Sequence, residues 1–252
     1  MTVALVLSGG GIRGISHLGV LKALDEGGIK ISHISGTSTG AILGALYSSG
    51  LDPEFILDEI ISTKFYTYMR PAFTTSGVLK MDRIGDFLRK YITNDSFEAL
   101  NIPLTVAATN LQLGVTEYFN SGELINPILC SSCIPAVFKP VSYNGKTYID
   151  GGVLNNFPLE PVKSENLIIG SDCNYIDDNF GGKGFKLIIE RALLLAINGS
   201  LQEAKSKCHI LIDPSRIKGT GVFEFRRAKE IFIMGYEEAK KQLTLYKNNL
   251  NG

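Results

Sequence analysis

The feature that most constrains the fold is the N-terminal order of an apolar run, a glycine-rich turn and a helical pattern. Val3–Leu7 is a continuous β-prone apolar run, which is typical of a parallel strand buried on both faces of a sheet. A glycine-rich turn at residues 9–14 follows, and apolar residues then recur at helical spacing over residues 15–24. Gly27 and Gly28 end this pattern, as glycine commonly does at helix C-termini. The N-terminus therefore predicts a strand–turn–helix unit of an α/β protein.

The rest of the chain repeats this alternation of strand and helix. Further strands are predicted at residues 31–35, 104–108, 115–119, 167–170 and 210–212, with a hairpin at residues 141–149 around Asn144 and Gly145. Further helices are predicted at residues 41–47, 81–91, 187–205 and 224–245, with one beginning at Asp52 and Pro53, and a short one running from Asn126 and Pro127 to about Cys133. We expect a mostly parallel central sheet with helices on both faces, in a single domain of residues 1–252.

Composition and charge disfavour several other classes of protein. The chain has 25 basic and 25 acidic residues, so its net charge of zero provides no basic surface for a nucleic acid. No basic segment precedes the first apolar run, and no apolar stretch approaches the length of a membrane span. We therefore expect no signal peptide, no transmembrane segment and a cytoplasmic location, with export by another route left open.

The four cysteines do not form a set of metal ligands. Cys130 and Cys133 form a C-x-x-C pair, whereas Cys173 and Cys208 stand alone. The pair is interpreted either as a redox site or as two small buried residues about one helical turn apart. We expect no metal and no cofactor.

Residues Gly36 to Gly40 match the pattern G-x-S-x-G, with Ser38 at its centre. In a nucleophile elbow the serine lies at the apex of a strained strand-to-helix turn, and small flanking residues let the backbone fold back closely. The predicted strand ending at residue 35 and the predicted helix beginning near Thr39 supply this context. By itself the pattern also fits a glycine-rich turn without a catalytic role, since about one such chain in five would contain it by chance.

The glycine-rich turn at residues 9–14 has two functional interpretations. Its G-x-G-x-x-G spacing between a strand and a helix matches a dinucleotide-binding fingerprint. That interpretation requires an acidic residue at the end of the next strand, and residues 31–35 contain none. The same geometry can direct backbone N–H groups at an oxyanion, which we favour. A dinucleotide loop and a plain turn stay open as alternatives.

A third motif, Asp150-Gly151-Gly152, directly follows an apolar strand that ends at Ile149. The glycines permit the close approach of another backbone. Taken alone, the motif is more typical of an ordinary turn that carries an aspartate.

A nucleophilic serine also needs a base, and the three histidines of the chain are poorly placed for that role. His33 lies in the strand before the elbow, and each strand residue advances the chain by roughly 3.3 Å, so it is too remote without a fold-back. His17 and His209 are not placed for a triad either. Each histidine is more typical of a structural or surface residue.

Together the three motifs resemble the patatin-like phospholipases, a family that pairs a G-G-G-x-[RK]-G loop, a G-x-S-x-G elbow and a D-G-[GA] motif in this order. Here they occupy residues 9–14, 36–40 and 150–152, and the similarity covers about residues 3–175. The resemblance implies a patatin-like three-layer sandwich and a Ser–Asp dyad, with Ser38 as nucleophile and Asp150 as base.

The resemblance also implies roles for the remaining motif residues. The loop amides near Gly10 and Gly11 would stabilise the oxyanion, and Arg13 would help to order the loop. The implied oxyanion hole comprises Gly9, Gly10, Gly11 and Arg13, and the motif glycines are Gly36, Gly40, Gly151 and Gly152.

On this resemblance we expect a serine acyl-hydrolase that cleaves carboxylic esters of lipids, a phospholipid or lysophospholipid, through an acyl-enzyme. The lipid would be taken from solution or at a membrane surface. Two alternatives stay open: an acyltransferase that uses the same acyl-enzyme, and a non-catalytic lipid-binding or regulatory protein on the same fold. The aromatic stretch at residues 64–79 is interpreted either as a lid or lipid-entry surface or as ordinary packing under a loop.

Overall fold

The computed structural model describes residues 2–63, 81–135, 137–174, 201–217 and 224–251, together with residues 181, 184, 188, 191, 192 and 195. Its described strands form one eight-stranded sheet with the order β5-β6-β3-β2-β1-β7-β8, and β4 pairs with β3 beside this path. The strands are β1 Val3–Leu7, β2 His33–Thr37, β3 Leu104–Asn110, β4 Val115–Phe119, β5 Val141–Tyr143, β6 Lys146–Ile149, β7 Leu167–Ser171 and β8 Ile210–Ile212.

Parallel pairing dominates the centre of the sheet, as predicted. β1 pairs in parallel with β2 and β7, β2 with β3, and β7 with β8. The antiparallel strands β4, β5 and β6 lie on the β3 side of the sheet. Because β1, β2 and β3 run in the same direction, their carboxyl ends meet at one edge, where binding sites of open α/β sheets usually form.

The described helices are α1 Ser16–Glu26, α2 Thr39–Ser48, α3 Pro53–Ser62, α4 Asp82–Tyr91, α5 Ile125–Ser131, α6 Gln202–Ser206 and α7 Ala228–Asn251. Strand β1 shows how the sheet is covered on both faces. Its residues Val3, Leu5 and Leu7 belong to a large core with the buried residues of α1, α2 and α7. Ala4 and Val6 point to the opposite face and pack with Phe157, Leu159 and Leu201.

Several sequence predictions are confirmed to within a residue or two. The hairpin turns at Asn144 and Gly145, whose φ values of 49° and 73° match a two-residue type I′ turn. Asp52 caps α3 by accepting hydrogen bonds from the backbone N–H groups of Glu54 and Phe55, and Pro53 is the first helical residue. β2 begins and ends two residues later than predicted, because Gly36 and Thr37 continue the ladder with the neighbouring strands.

The predicted cap of the short helix at Asn126 is wrong. Helix α5 already begins at Ile125, and the carboxylate of Asp95 accepts hydrogen bonds from the backbone N–H groups of Leu124 and Ile125. An aspartate 30 residues away in sequence therefore replaces the local cap. Pro127 is then the third helical residue, where its missing N–H still costs no intrahelical hydrogen bond.

Two other predictions concern segments that lie partly or wholly outside the described residues. Of the helix predicted at residues 187–205, the structure describes α6 and isolated helical positions. The aromatic stretch at residues 64–79 lies outside the described residues. The C-terminal helix begins at Ala228, after a 3₁₀ turn at Phe225–Arg227, and extends to Asn251, beyond the predicted residue 245.

Candidate active site

Ser38 lies at the apex of the turn that joins β2 to α2, at the carboxyl edge of the parallel strands. Its φ of 53° and ψ of −121° are unusual for a residue that is not glycine. The turn needs glycine on either side. A Cβ on Gly36 would lie 2.8 Å from the backbone of Gly40, and one on Gly40 would lie 2.4 Å from the carbonyl oxygen of Leu7. This close packing explains why the motif has small residues at both positions.

The strained apex is supported from α5. The backbone N–H of Ser38 donates a hydrogen bond of 2.8 Å to Ser131 Oγ, and that hydroxyl donates one of 2.6 Å to the carbonyl oxygen of Ala107 in β3. Ser131 is fully buried. The serine at the apex is therefore held through one side chain that connects α5, β3 and the elbow.

Asp150 follows β6 and faces the elbow. The Ser38 hydroxyl donates a hydrogen bond of 2.7 Å to Asp150 Oδ2, and the backbone N–H of Gly152 donates one of 2.8 Å to Oδ1. Gly151 is required for this approach, because a Cβ there would lie 2.2 Å from the carbonyl oxygen of Ala107. Thr109 Oγ1 donates to the Asp150 carbonyl oxygen at 2.9 Å, which fixes the aspartate against β3.

Burial raises the pKa of the Asp150 carboxyl from 3.8 to about 6, while the hydrogen bonds from Ser38 and Gly152 lower it. Both Ser38 and Asp150 are buried. The ionised form predominates at neutral pH and can accept a proton from the serine hydroxyl. A carboxylate whose pKa lies just below neutrality is suited to general-base chemistry.

The glycine-rich loop packs against Ser38. A Cβ on Gly9 would lie 3.1 Å from Ser38 Cβ and 2.4 Å from Asn156 Oδ1. Gly11, with φ of 60°, begins a 3₁₀ turn, Gly11–Ile15, for which Gly10 is the N-cap. The backbone N–H groups of these two glycines have no partner within the turn, and such groups at a helix start are available to an anion.

Arg13 is buried behind the loop. Its Nε donates a hydrogen bond of 3.4 Å to the carbonyl oxygen of Gly10, and its Nη2 donates one of 2.9 Å to Asn174 Oδ1. The guanidinium thus contacts the loop backbone and a side chain that follows β7.

The three histidines have other contacts. His17 is buried against Ser171 Oγ at 2.7 Å and the Ser8 carbonyl oxygen at 2.9 Å, and burial lowers its pKa to about 4. His33 Nε2 contacts Thr105 Oγ1 at 2.9 Å. The backbone N–H of Ile168 donates to His209 Nδ1 at 3.0 Å. The sequence expectation of structural histidines agrees with these contacts.

The dinucleotide interpretation gains no support from the structure. β2, with the observed bounds His33–Thr37, contains no acidic residue, and its carboxyl end leads directly into Ser38. Gly9 of the loop packs against Ser38, whose hydroxyl is hydrogen-bonded to Asp150.

The cysteines are reduced, and among the described residues no group of three His, Cys, Asp or Glu side chains could hold a metal ion. Burial raises the pKa of the Cys130 and Cys133 thiols to about 12, so neither is a thiolate at neutral pH. This agrees with the interpretation as buried small residues. None of the described helices is sufficiently long and apolar to cross a membrane.

Sequence reasoning missed three polar residues around the site: Ser131, Asn156 and Asn174. Each contacts the elbow or the loop over a long sequence separation, such as 93 residues from Ser131 to Ser38 and 165 from Asn174 to Gly9. No local spacing reveals such contacts. The one available signal was the position of Asn156, four residues after the end of the Asp-Gly-Gly motif.

Comparison with known proteins gives a consistent result. The model of the family described as patatin-like phospholipase matches residues 5–163. An uncharacterized NTE family protein of Mycobacterium tuberculosis is 34% identical over 166 residues, which cover 65% of this chain and 46% of that protein. Lysophospholipase nte1 of Aspergillus fumigatus is 29% identical over an alignment that covers 98% of this chain and 18% of that protein. The chain thus spans less than half the length of these relatives.

Two solved structures share the fold. VipD from Legionella pneumophila superposes with a TM-score of 0.64 at 16% identity, covering 97% of this chain and 67% of that chain. The type III effector protein ExoU of Pseudomonas aeruginosa gives 0.51 at 15% identity, covering 97% of this chain and 53% of that chain. These likenesses confirm the predicted fold class, and the match over residues 5–163 of the 252 shows that the chain belongs to the patatin-like phospholipase family.

Proposed function

We propose that this chain is a serine hydrolase that cleaves carboxylic esters of lipids, with Ser38 as nucleophile and Asp150 as general base. The observation that carries the proposal is the hydrogen bond of 2.7 Å from the Ser38 hydroxyl to Asp150 Oδ2 at the strained apex of the elbow. The family of the chain and the printed name of the fungal relative, a lysophospholipase, support a phospholipid or lysophospholipid as the substrate class.

The first half of the reaction forms an acyl-enzyme. Asp150 Oδ2 accepts the proton of the Ser38 hydroxyl while Ser38 Oγ attacks the ester carbonyl carbon. The carbonyl oxygen becomes an oxyanion, which the backbone N–H groups of Gly10 and Gly11 stabilise because they have no partner within their own turn. The bond to the alcohol then breaks, and the departing alkoxide takes the proton from Asp150.

The second half releases the fatty acid. Water enters the position that the alcohol has left, gives its proton to Asp150 and attacks the acyl carbon. The bond to Ser38 Oγ breaks, and that oxygen regains its proton from Asp150. The carboxylate thus serves as base and then acid in each half, so no histidine is required.

A lipid panel assayed with three proteins tests this function. Wild type is expected to release free fatty acid from a phospholipid or lysophospholipid, and Ser38→Ala is expected to be inactive. Ser132→Ala is the matched control, because Ser132 is also buried but its hydroxyl has no hydrogen-bond partner among the described residues. Equal activity of wild type and Ser38→Ala would overturn the assignment of the nucleophile.

Two further measurements separate the competing functions. A fluorophosphonate probe is expected to label Ser38, whereas an unlabelled Ser38 would indicate a non-catalytic lipid-binding or regulatory protein. Product analysis with an added alcohol or thiol acceptor is expected to give mainly free fatty acid. Quantitative transfer of the acyl group to the acceptor would instead identify an acyltransferase.

A further inference from the structure

A buried ion pair lies behind the glycine-rich loop. The ammonium of Lys205, from α6, pairs with Asp172 Oδ2 directly after β7, and Asp213 Oδ2 lies 3.6 Å from the same nitrogen. Lys205 is 7% exposed and Asp172 is fully buried. Burying such a pair brings little net stability compared with apolar side chains, so its presence calls for a role beyond packing.

The ion pair keeps a fixed negative charge beneath the loop. Burial raises the pKa of the Asp172 carboxyl, but the Lys205 ammonium and the hydrogen bonds from Asn174 outweigh that effect, and the pKa lies below its ordinary value. Asp172 is therefore ionised at neutral pH, with Oδ2 in the ion pair with Lys205 and Oδ1 accepting hydrogen bonds from Asn174.

Asp172 fixes the side chain of Asn174. Asp172 Oδ1 accepts hydrogen bonds from the backbone N–H of Asn174 at 3.1 Å and from its side-chain Nδ2 at 2.9 Å. Asn174 Nδ2 also donates to the carbonyl oxygen of Gly9 at 2.6 Å, while Asn174 Oδ1 accepts from Arg13. Two acceptors face the Asn174 Nδ2 group and one donor faces its Oδ1, so the side-chain amide has a single favourable orientation.

These contacts determine where the loop amides point. In a trans peptide the C=O of one residue and the N–H of the next point in opposite directions. The Asn174 side chain donates to the Gly9 carbonyl, so the Gly10 N–H points away from Asn174. Arg13 donates to the Gly10 carbonyl, so the Gly11 N–H points away from Arg13.

The loop has little freedom to turn by other means. A Cβ on Gly10 would lie 2.3 Å from Cys173 Sγ, and Gly9 packs against Ser38 on the other side. The Gly9 carbonyl also accepts a hydrogen bond of 3.2 Å from Asn156 Nδ2. The loop is thus held between the end of β7 and the elbow.

We propose that Asp172, paired with Lys205, is a positioning residue that acts through Asn174 to aim the Gly10 and Gly11 N–H groups at the oxyanion. The inference rests on the proposed ester hydrolysis and extends it to three residues outside the sequence motifs. None of the three needs to touch the substrate.

Three variants and one control test the proposal. Asn174→Ala removes the donor to Gly9, Asp172→Asn keeps the size but removes the charge, and Lys205→Arg preserves the cation. Lys207→Met is the matched control, because Lys207 lies directly after the same short helix and pairs with Glu203 on the surface, away from the loop.

The expected result is a loss of kcat rather than a rise in KM on a soluble ester. Removing one oxyanion donor costs about 100- to 1,000-fold in known hydrolases, so Asn174→Ala, which misorients rather than deletes the donors, should lose about 10- to 100-fold. Asp172→Asn should lose about 10-fold. Lys207→Met should resemble wild type, and Lys205→Arg, which keeps the cation, should retain more kcat than Asp172→Asn. Binding of a trifluoromethyl ketone, whose adduct with Ser38 carries an oxyanion, should weaken by the same factors as kcat.

A purely structural role would lower the thermal stability of the variants but leave kcat per fluorophosphonate-titrated site and ketone affinity unchanged, and that result would overturn the proposal. Asp172→Asn changes no volume and leaves the Lys205 ammonium beside Asp213, so it tests the proposal even where Asn174→Ala fails to fold. Failure of the proposed function is distinguishable: wild type itself would then release no fatty acid and Ser38 would not be labelled, and the inference would fall with it.

Discussion

The Ser38 hydroxyl donates its hydrogen bond to an Asp150 carboxylate that is 93% buried and, among the described residues, forms no ion pair with Lys, Arg or His. Its two oxygens accept from Ser38 and from the Gly152 backbone N–H. These neutral donors offset only part of the cost of removing a charge from water, which is why the pKa of Asp150 is raised. The same carboxylate is therefore both suited to act as a base and destabilising to the fold.

We expect Asp150→Asn to abolish ester hydrolysis and to stabilise the protein. An asparagine can still accept from the Gly152 N–H and bond Ser38 Oγ, but it carries no charge. The rise of the Asp150 pKa from 3.8 to about 6 corresponds to at most about 3 kcal/mol in the free energy of unfolding. Urea denaturation of both proteins at about pH 8 measures this difference.

The pH dependence of that stability gain provides its own control. Because the folded-state pKa of Asp150 is raised, the charged carboxylate disfavours folding fully above about pH 6 and not at all below about pH 4. The advantage of Asp150→Asn should therefore vanish in acid. If Asp150→Asn were more stable than wild type by the same amount at about pH 8 and below about pH 4, the buried charge would not be the cause of the gain in stability.

Activity should rise with pH through the pKa of Asp150. As the proposed base, Asp150 must be ionised to accept the Ser38 proton, so kcat/KM is expected to be half-maximal near pH 6 and to fall about tenfold for each pH unit below that. Initial rates on a soluble ester across this range, with protein checked for folding at each pH, measure the profile.

Two groups could be confused with Asp150 in such a profile, because burial raises the pKa of Asp213 to about 6 and lowers that of His33 from 6.5. His33 is the simpler of the two to test. It contacts Thr105 rather than the dyad. His33→Gln should leave the inflection in place. A profile that loses its acid limb in this variant would contradict the assignment to Asp150.

The fold was predictable from the sequence wherever the determining residues are local. Val3–Leu7 and residues 167–170 contain no polar side chain, as expected for strands buried on both faces, and Asn144 and Gly145 specify a hairpin turn by their own backbone preferences. The start of α5 was mispredicted because its cap, Asp95, comes from another part of the chain. Local patterns cannot reveal a partner that only the tertiary fold brings close.

The candidate site shows the same division. The turn containing Ser38 could be predicted from the small residues that its close packing requires, Gly36 and Gly40, and the motif order pointed to Asp150. The residues that hold the site in place, such as Ser131 and Asn174, follow no spacing rule, because each is defined by hydrogen bonds to residues far away in the sequence. The residues that position Ser38 and the loop could therefore be identified only from the structure.

Ser131 offers a direct test of such support. Ser131→Ala removes the acceptor for the Ser38 N–H and leaves the Ala107 carbonyl without this donor. Leaving a buried polar group unpaired costs about 1–3 kcal/mol, so we expect a loss of that size in unfolding free energy. A drop of about 10-fold in kcat should accompany it, because the strained apex is less well fixed.

Ser132→Ala is the matched control for this loss. Ser132 is the next residue and is also buried, but its hydroxyl has no hydrogen-bond partner among the described residues. Its removal should leave stability and kcat nearly unchanged. If both variants behaved alike, the contact from Ser131 to the elbow would have no special importance.

The C-terminal helix α7, which carries no motif, packs on α1 through two glycines. A Cβ on Gly235 would lie 2.1 Å from the carbonyl oxygen of Ser16, and one on Gly19 would lie 2.0 Å from that of Phe232. Both contacts are to backbone, which cannot move aside as a flexible side chain can. We expect Gly235→Ala to lower the free energy of unfolding by about 3 kcal/mol, at the upper end of typical overpacking costs.

The same substitution should also affect catalysis. Ser16 is the first residue of α1, and its hydroxyl donates a hydrogen bond of 2.9 Å to the carbonyl oxygen of Arg13 in the loop turn. Displacing α7 from Ser16 therefore disturbs the turn that carries the proposed oxyanion donors, and kcat should fall along with stability. Urea denaturation and ester hydrolysis of the same preparations measure the two effects.

Gly85→Ala in α4 is the control for adding a methyl group to a helical glycine. Its Cβ would first meet the flexible end of Arg89, at 3.1 Å, and alanine favours helix more than glycine does by about 1 kcal/mol. This variant should match or slightly exceed wild type in stability. If Gly235→Ala were equally harmless, α7 would not be held closely on α1, and the proposal of a single domain over residues 1–252 would lose its main support.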